Sequence, residues 1–577
     1  MVENVKIPYG ISNFKALREE KYLYIDKTKY IETIENLNSK YVFFIRPRRF
    51  GKSLFLSTLE NYYDINTDSI FRDLFGDLYI GKNETKLKNS YLILKLNFSG
   101  LNTDTKEKLE RSFRLSLVDA AKIFLSKYES VIKDASKIES EMKSTTDLRN
   151  LLALLLNAVR KVDKKIFLIV DEYDHFANDI IAMGDSTFYK DVIRATGFVR
   201  DFYEAVKIGT ETVIDRIFIT GISPVMLDDL TSGFNMASNL TLDINLNEML
   251  GFTEKEVKDI VANCNLEKLM KSSNVNIEET ELMHELKKNY NGYLFNKKAK
   301  HRIYNPDMIL YFFNQWEKSD EYPEKLIDDN VKTDYGRLNR LMINDENRLK
   351  LEEIIKNEGI VSNIVTRFSF DNMNDEDNFV SLLFYMGLLT IDYQERTRLK
   401  LKTPNYVINT IFWEYFDKKL RKEHNIIIKT EPVRLAIEKM AYDGEVEPYI
   451  NYISQNVLKP LSNRDMIKID EKHIKITLFT YLSASNAYRP TSEREIENGY
   501  IDIYLEKDPR IPDVKYEWLL ELKYLKKSEE KQIEKAKIEG LKQLRRYANS
   551  SEFQGKKNLK KALIIFSGKS DYVIVEE

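Results

Sequence analysis

Tyr41-Val-Phe-Phe-Ile-Arg-Pro-Arg-Arg-Phe-Gly-Lys-Ser53 is an apolar run ending in glycine, lysine and a hydroxyl, and Leu54-Phe-Leu-Ser-Thr-Leu-Glu60 continues it with helical periodicity. A buried strand that turns tightly into a helix presents unpaired backbone N–H groups and the positive end of a helix dipole, which together hold a phosphate chain. In that setting Lys52 reaches the β- and γ-phosphates and the Ser53 hydroxyl ligates Mg²⁺. The usual pattern, G-x-x-x-x-G-K-[ST], wants a glycine where this chain has Arg46. Gly-Lys-Ser alone is more often an ordinary surface turn. The strand before it and the helix after it favour the phosphate loop.

A second stretch strengthens that choice. Ile166-Phe-Leu-Ile-Val-Asp171-Glu172 is unbroken apolar sequence closed by two carboxylates. Parallel strands buried on both faces read this way, and the ends of such strands are where open α/β sheets bind ligands. Asp171 is the candidate to hold Mg²⁺ through water and Glu172 to polarise an attacking water. Further strands are expected at Tyr91–Ser99 and at Arg216-Ile-Phe-Ile-Thr-Gly-Ile-Ser223, with helices at Lys106–Tyr128, Thr146–Val162 and Ala195–Val206. Alternation of strand and helix implies a parallel sheet. Thr220 and Ser223 are candidate γ-phosphate sensors, with a turn cap as the alternative for Thr220.

The chain has 577 residues, too many for a single core. Hydrophobic residues at 43% and charged residues at 31% describe a globular protein, and a net charge of −2 excludes a globally basic nucleic-acid binder. One cysteine, Cys264, excludes a disulfide framework and a thiolate zinc site. The five histidines lack ligand spacing, so any metal is expected on oxygen. The N-terminus has no signal pattern and no apolar run approaches the roughly 18 residues of a membrane span, which points to a cytoplasmic protein.

From about Gly251 the pattern turns mostly helical, with a short hairpin near Leu388–Tyr406 that suits a winged-helix-like or lid module. Strands return near the C-terminus. Gly499-Tyr-Ile-Asp502-Ile-Tyr-Leu505, the turn-rich Lys507–Asp513 and Tyr516-Glu-Trp-Leu-Leu-Glu521-Leu-Lys523 make a hairpin, followed by a charged helix over Ser528–Asn549 and a buried strand over Lys561–Ser567. The hairpin sets Asp502 beside Glu521, a pair able to hold a divalent metal, with the Leu522 carbonyl as a further ligand. Glu521 and Lys523 share a face, so the lysine is placed to orient a metal-bound water or neutralise developing charge. Gln543 and Tyr547 stand four apart on one helix face. From Lys523 to Arg546 there are nine basic and four acidic side chains, an excess that can follow a phosphate backbone. Singly each of these is commonplace; the ordered set favours a nuclease.

Arg46-Pro-Arg-Arg-Phe-Gly-Lys-Ser53, with Tyr24-Ile-Asp-Lys27 and the Asp171-Glu172 strand, resembles the AAA-ATPase-like family, and the C-terminal set resembles the PD-(D/E)XK nuclease superfamily that often accompanies it. The resemblance implies an α/β fold in three parts: a P-loop parallel-sheet ATPase domain over 1–250, a helical lid or linker over 251–425, and a restriction-endonuclease-like α/β domain over 426–577. It implies ATP and Mg²⁺ contacts at Arg49, Phe50, Gly51, Lys52, Ser53, Leu54 and Asp171. At the second site it implies nuclease catalysis by Asp502, Glu521 and Lys523, with Gln543 and Tyr547 matching the Gln-x-x-x-Tyr motif and Glu493 the upstream acidic position, and Mn²⁺ as an alternative ion. Ile501 stands where proline is usual. Nucleic acid, DNA before RNA, is the implied partner; the alternative is a nucleotide-controlled nucleic-acid-binding switch that does not cut. Arg194, Arg200 and Arg216 are the candidates for an arginine finger, which leaves oligomer formation open.

Overall fold

In the computed structural model, residues 5–183, 186–193, 197–226, 235–264, 266–273, 277–319, 321–329, 332, 345–369, 375–424, 426–461, 470–482, 485–496, 499–568 and 570–577 are described. The apolar runs become strands. β1 (Tyr41–Ile45), β2 (Tyr91–Asn97), β3 (Lys165–Asp171), β4 (Ile214–Gly221) and the short β5 (Ser238–Asn239) form one sheet in the order β2-β3-β4-β1-β5, all parallel. Five residues from Ile166 to Val170 are buried without a break, the signature of a strand covered on both faces.

The covering helices follow their own periodicity. In Lys106–Lys127, Thr105 caps the N-terminus by accepting from the Lys108 amide, and Leu109, Phe113, Leu117 and Phe124 face inward. Leu148–Val159, capped by Asp147, buries Leu148, Leu151, Leu152, Leu155 and Leu156. Truncating one such leucine to alanine costs about 2–5 kcal/mol.

Beyond β5 come helices at Glu254–Asn263, Glu279–Tyr290 and Pro306–Ser319, then β6 (Gly359–Ser362), β7 (Thr390–Glu395) and β8 (Arg398–Lys402) in an antiparallel sheet of order β6-β8-β7. The expected hairpin is therefore present, with a third strand on β8.

The chain divides into two compact units: Met1–Glu321 with Lys325–Leu351 and Gly359–Tyr406, and Tyr322–Glu324 with Glu352–Glu358 and Val407–Glu577. The second unit carries β9 (Tyr488–Ile496), β10 (Gly499–Lys507), β11 (Glu517–Leu525), β12 (Leu559–Ser567) and β13 (Asp571–Glu576) in the order β13-β12-β11-β10-β9. β11 and β12 are parallel, so the chain must cross over between them, and helix Ile533–Ala548 makes that crossing. One core of the unit gathers Trp518, Leu520 and Leu522 with residues of the helices between Thr430 and Leu482. A smaller one joins Ile501, Tyr504 and Leu519 to Leu544 and Tyr547 of the crossing helix. Among the described residues no helix is long and apolar enough to cross a membrane.

Candidate functional site

β1 ends at Ile45, and the chain turns through Arg46–Gly51 into helix Lys52–Tyr63. Gly51 sits at φ +91° with open space around a would-be Cβ, so its requirement is conformational rather than steric. Lys52, only 6% exposed, folds back over the turn and donates to the carbonyls of Arg46 (3.0 Å) and Pro47 (2.9 Å). Burial lowers its pKa, opposed by the carboxylates of Glu172, Asp171 and Asp174. Ser53 Oγ donates to Asp171 Oδ2 at 2.7 Å. Asp171 is 2% exposed and its Oδ1 has no hydrogen-bond partner, a buried acceptor of the kind a cation or its water would satisfy.

A cavity of about 430 Å³ is lined by the loop residues Arg48 through Phe55 and by Glu172 and His175. Arg49, Phe50, Gly51, Lys52, Ser53 and Leu54 all border it. Asp171 borders a neighbouring polar cavity of about 690 Å³ that shares Ser53. Glu172 has φ +54°, a left-handed conformation uncommon for glutamate and held here directly beyond the strand end.

Arg46, at the position where glycine is usual, is fully buried. Its Nη1 donates to the carbonyls of Ile45 (2.9 Å) and Thr241 (2.7 Å) and its Nη2 to that of Leu246 (3.0 Å). The guanidinium lies 4.2 Å from the Phe44 ring centroid and 4.0 Å from that of Phe295. Burial pulls its pKa down to about 9, which leaves it charged at neutral pH. The arginine thus takes over as a fastener for the segment after β5.

The sensor reading of Thr220 and Ser223 is corrected: Thr220 Oγ1 donates to the Phe44 carbonyl at 2.7 Å, Ser223 Oγ donates to Asp174 at 2.9 Å, and neither borders the cavity. Of the arginine-finger candidates, Arg194 lies outside the described residues, Arg200 pairs with Glu204, and Arg216 sits beside Tyr91 and Asp215. Arg48 and Arg49, which the sequence did not single out for that role, border the cavity, and Arg49 pairs with Asp307 at 3.5 Å.

In the second unit the register Ile503↔Leu520 and Tyr504↔Leu519 carries Asp502 to the level of Glu521. Asp502 Oδ2 accepts from the Leu522 amide (3.1 Å) and lies 3.9 Å from Lys523 Nζ, which donates to Glu521 Oε1 at 2.7 Å. Glu521 is 1% exposed and its Oε2 has no partner. Burial, then the neighbouring Asp502 charge, pushes its pKa up to about 8, with Lys523 opposing. Among the described residues no three His, Cys, Asp or Glu side chains gather as a metal cluster. The donor set is instead two carboxylates, one with an orphaned buried oxygen, which suits a hard divalent cation.

Tyr547, buried on the crossing helix, has its phenol pKa raised by burial and by Glu521 and Asp502. Gln543, one turn earlier, is half-buried. Glu493 lies in β9 between Ser492 and Arg494, whose pairing partners Ile503 and Ile501 flank Asp502; its side chain lies outside the described residues. The structure adds a carboxylate that sequence reasoning missed. Glu471 opens helix Glu471–Leu482, and its pKa is raised by burial, with Lys523 opposing and Asp502 adding. An acid opening an apolar helix upstream of the hairpin was the available signal.

A curated relative, an uncharacterized protein in the vnfD 5' region of Azotobacter chroococcum mcd 1, is 24% identical over 406 residues, which is 69% of this chain and 67% of that protein. Among solved structures, the Walker-type ATPase PABY2304 of Pyrococcus abyssi matches with a TM-score of 0.38 and 14% identity, over 67% of this chain and 94% of that one. Residues 8–231 match the family model described as a predicted AAA-ATPase, and residues 469–576 that of the PD-(D/E)XK nuclease superfamily. The chain thus carries a region similar to predicted AAA-ATPases, residues 8–231, and a C-terminal region similar to the PD-(D/E)XK nuclease superfamily, residues 469–576.

Proposed function

We propose that this protein binds and hydrolyses ATP in its first unit and cuts nucleic acid, DNA in preference to RNA, in its second. The observation that carries the nuclease half is Glu521: a fully buried carboxylate beside Asp502, with one oxygen unclaimed and Lys523 on the other. A divalent cation, Mg²⁺ or Mn²⁺, supplies such a site with a water of lowered pKa and positive charge toward the phosphate. Asp502 and Glu521 hold it, with the Leu522 carbonyl within reach of the same strand. Lys523 then turns from Glu521 toward the attacked phosphate and balances charge there. Tyr547 and Gln543 brace the crossing helix against the substrate strand.

In the first unit Lys52 exchanges the carbonyls of Arg46 and Pro47 for the β- and γ-phosphates. Ser53 and Asp171 serve Mg²⁺, and Glu172 polarises the attacking water.

Incubating linear and single-stranded DNA, and RNA of the same sequence, with wild type and Asp502→Ala in Mg²⁺ or Mn²⁺ tests the nuclease. Cleavage by wild type alone is expected. Retention of DNA or RNA without cleavage would favour the nucleotide-controlled binding switch. Lys52→Ala, assayed for ATP turnover and for cleavage with and without ATP, tests the other half; cleavage indifferent to both Lys52 and ATP removes any coupling of the two activities.

A further inference from the structure

The Tyr24-Ile-Asp26-Lys27 stretch has a job in the structure that its sequence did not reveal. Asp26 Oδ1 accepts from the Thr28 amide (2.8 Å) and hydroxyl (2.6 Å), and its Oδ2 accepts from the Tyr79 amide at 2.7 Å. Lys27 is buried. Its Nζ lies 2.7 Å from each oxygen of Glu256 and donates to the Glu248 carbonyl at 3.0 Å. Three acceptors thus surround an ammonium with three protons. Glu256 in turn accepts from the Thr253 amide (2.7 Å) in the capping box that opens helix Glu254–Asn263. Lys27 therefore grips both ends of the strip Met249–Phe252.

That strip and the lead-in border the same cavity as the phosphate loop. Its lining has two characters. Arg48, Arg49, Lys52, Ser53 and Glu172 are polar; Ile11, Leu23, Ile25, Met249, Leu250 and Leu310 are apolar. Met249, Leu250 and Leu310 lie beyond residues 8–231, the part that matches the ATPase family model. Resting on the nucleotide reading above, we propose that the apolar part takes the nucleobase and that Lys27 is a positioning residue for it. Lys27, which itself borders the cavity, commits its ammonium to the Glu248 carbonyl and to Glu256 and so ties the Met249–Phe252 wall to the Leu23–Ile25 wall. An apolar slot with few polar groups suits a purine, whose faces are hydrophobic and whose binding improves when the walls are already in place.

Calorimetric titration of the full chain with ATP and with inorganic tripolyphosphate, which has phosphates but no base, separates this role from a general one. In wild type, ATP should bind more tightly than tripolyphosphate. Lys27→Met should weaken ATP by about tenfold or more, because a buried charge loses its partner and the wall loosens, and should leave tripolyphosphate unchanged. Lys27→Arg, which can still reach Glu256, should recover part of the loss. Should Lys27→Met fail to fold, Glu256→Gln keeps an acceptor for the cap while removing the charge pair, and should shift ATP alone in the same direction. Equal weakening of both ligands, or unchanged ATP binding, overturns the proposal while leaving the nucleotide reading intact. Wild type that binds neither ligand overturns both.

Discussion

The two candidate sites are built on opposite electrostatic plans. In the phosphate-loop pocket the reactive groups are already occupied: Lys52 rests on two loop carbonyls and Ser53 on Asp171. At the C-terminal site Glu521 is buried with one oxygen unpartnered and its pKa pushed up to about 8 by burial and by Asp502. The first holds a cation in reserve for an anion and is at ease without one. The second sets two carboxyls together where water is scarce, so that Glu521 holds its proton at neutral pH, an ionisation cost that a metal ion would remove. A loop can exchange internal partners for a ligand at little loss, whereas a buried carboxyl pressed against a second, half-buried one is costly to ionise until a cation joins them.

The largest effects should come from breaking the strained side. Glu521→Gln removes the charge while keeping the shape, and cleavage should fall by about 10²–10³-fold, as when one preorganised electrostatic group is lost. The pH dependence of stability tests the same strain independently of activity. A glutamate whose pKa rises from 4.5 unfolded to about 8 folded binds more protons in the folded state between those values. The contribution of Glu521 to the stability of the metal-free second unit should therefore be most favourable below about 4.5 and decline as pH rises toward 8. In Glu521→Gln that part of the decline should vanish. Added Mg²⁺ or Mn²⁺ should stabilise wild type increasingly over the same window, because binding releases the proton. Denaturant titrations at several pH values check all three, and a wild-type profile matching the variant's would refute the account.

Arg46 sharpens the comparison from the relaxed side. If the loop needs glycine there for phosphate contact, Arg46→Gly should improve nucleotide binding. The structure argues otherwise, since three backbone carbonyls and two aromatic rings depend on the guanidinium. Restoring the glycine should cost the first unit about 3 kcal/mol or more, from unsatisfied carbonyls and the void left behind. Thermal and urea denaturation of the variant measure it. Unaltered stability would mean the arginine is dispensable.

Much of this was legible in the chain. The β3 run Ile166–Val170 announced a strand covered on both faces, and Asp502 and Glu521 met because a hairpin with period-two alternation leaves little choice of register. What stayed hidden depends on distant partners. Nothing near Arg46 indicates that Thr241 and Leu246, about two hundred residues on, supply its acceptors. Glu471 reads as an ordinary helix-opening acid until the fold brings it near Lys523. The π turns at Lys439–Asp443 and Ser454–Leu458 lie among helices whose periodicity gives no sign of them. Local pattern fixes elements; pairing across long loops decides which polar groups become site and which become scaffold.

Thr220 is the smallest and most discriminating case of that distinction. Its position on β4, next to the loop strand, is where a hydroxyl sensing the terminal phosphate would stand, yet its proton goes to the Phe44 carbonyl across the β1–β4 pairing. Thr220→Val keeps the shape and removes one buried hydrogen bond, so stability should drop by about 1 kcal/mol. Turnover at saturating ATP should stay within about twofold of wild type, because a lost transition-state contact would cost tenfold for each 1.4 kcal/mol. A fall in kcat of tenfold or more with folding intact would return the hydroxyl to the reaction. It would also mean that β4 shifts when nucleotide binds, since Thr220 can reach a phosphate only by releasing the strand it now fastens.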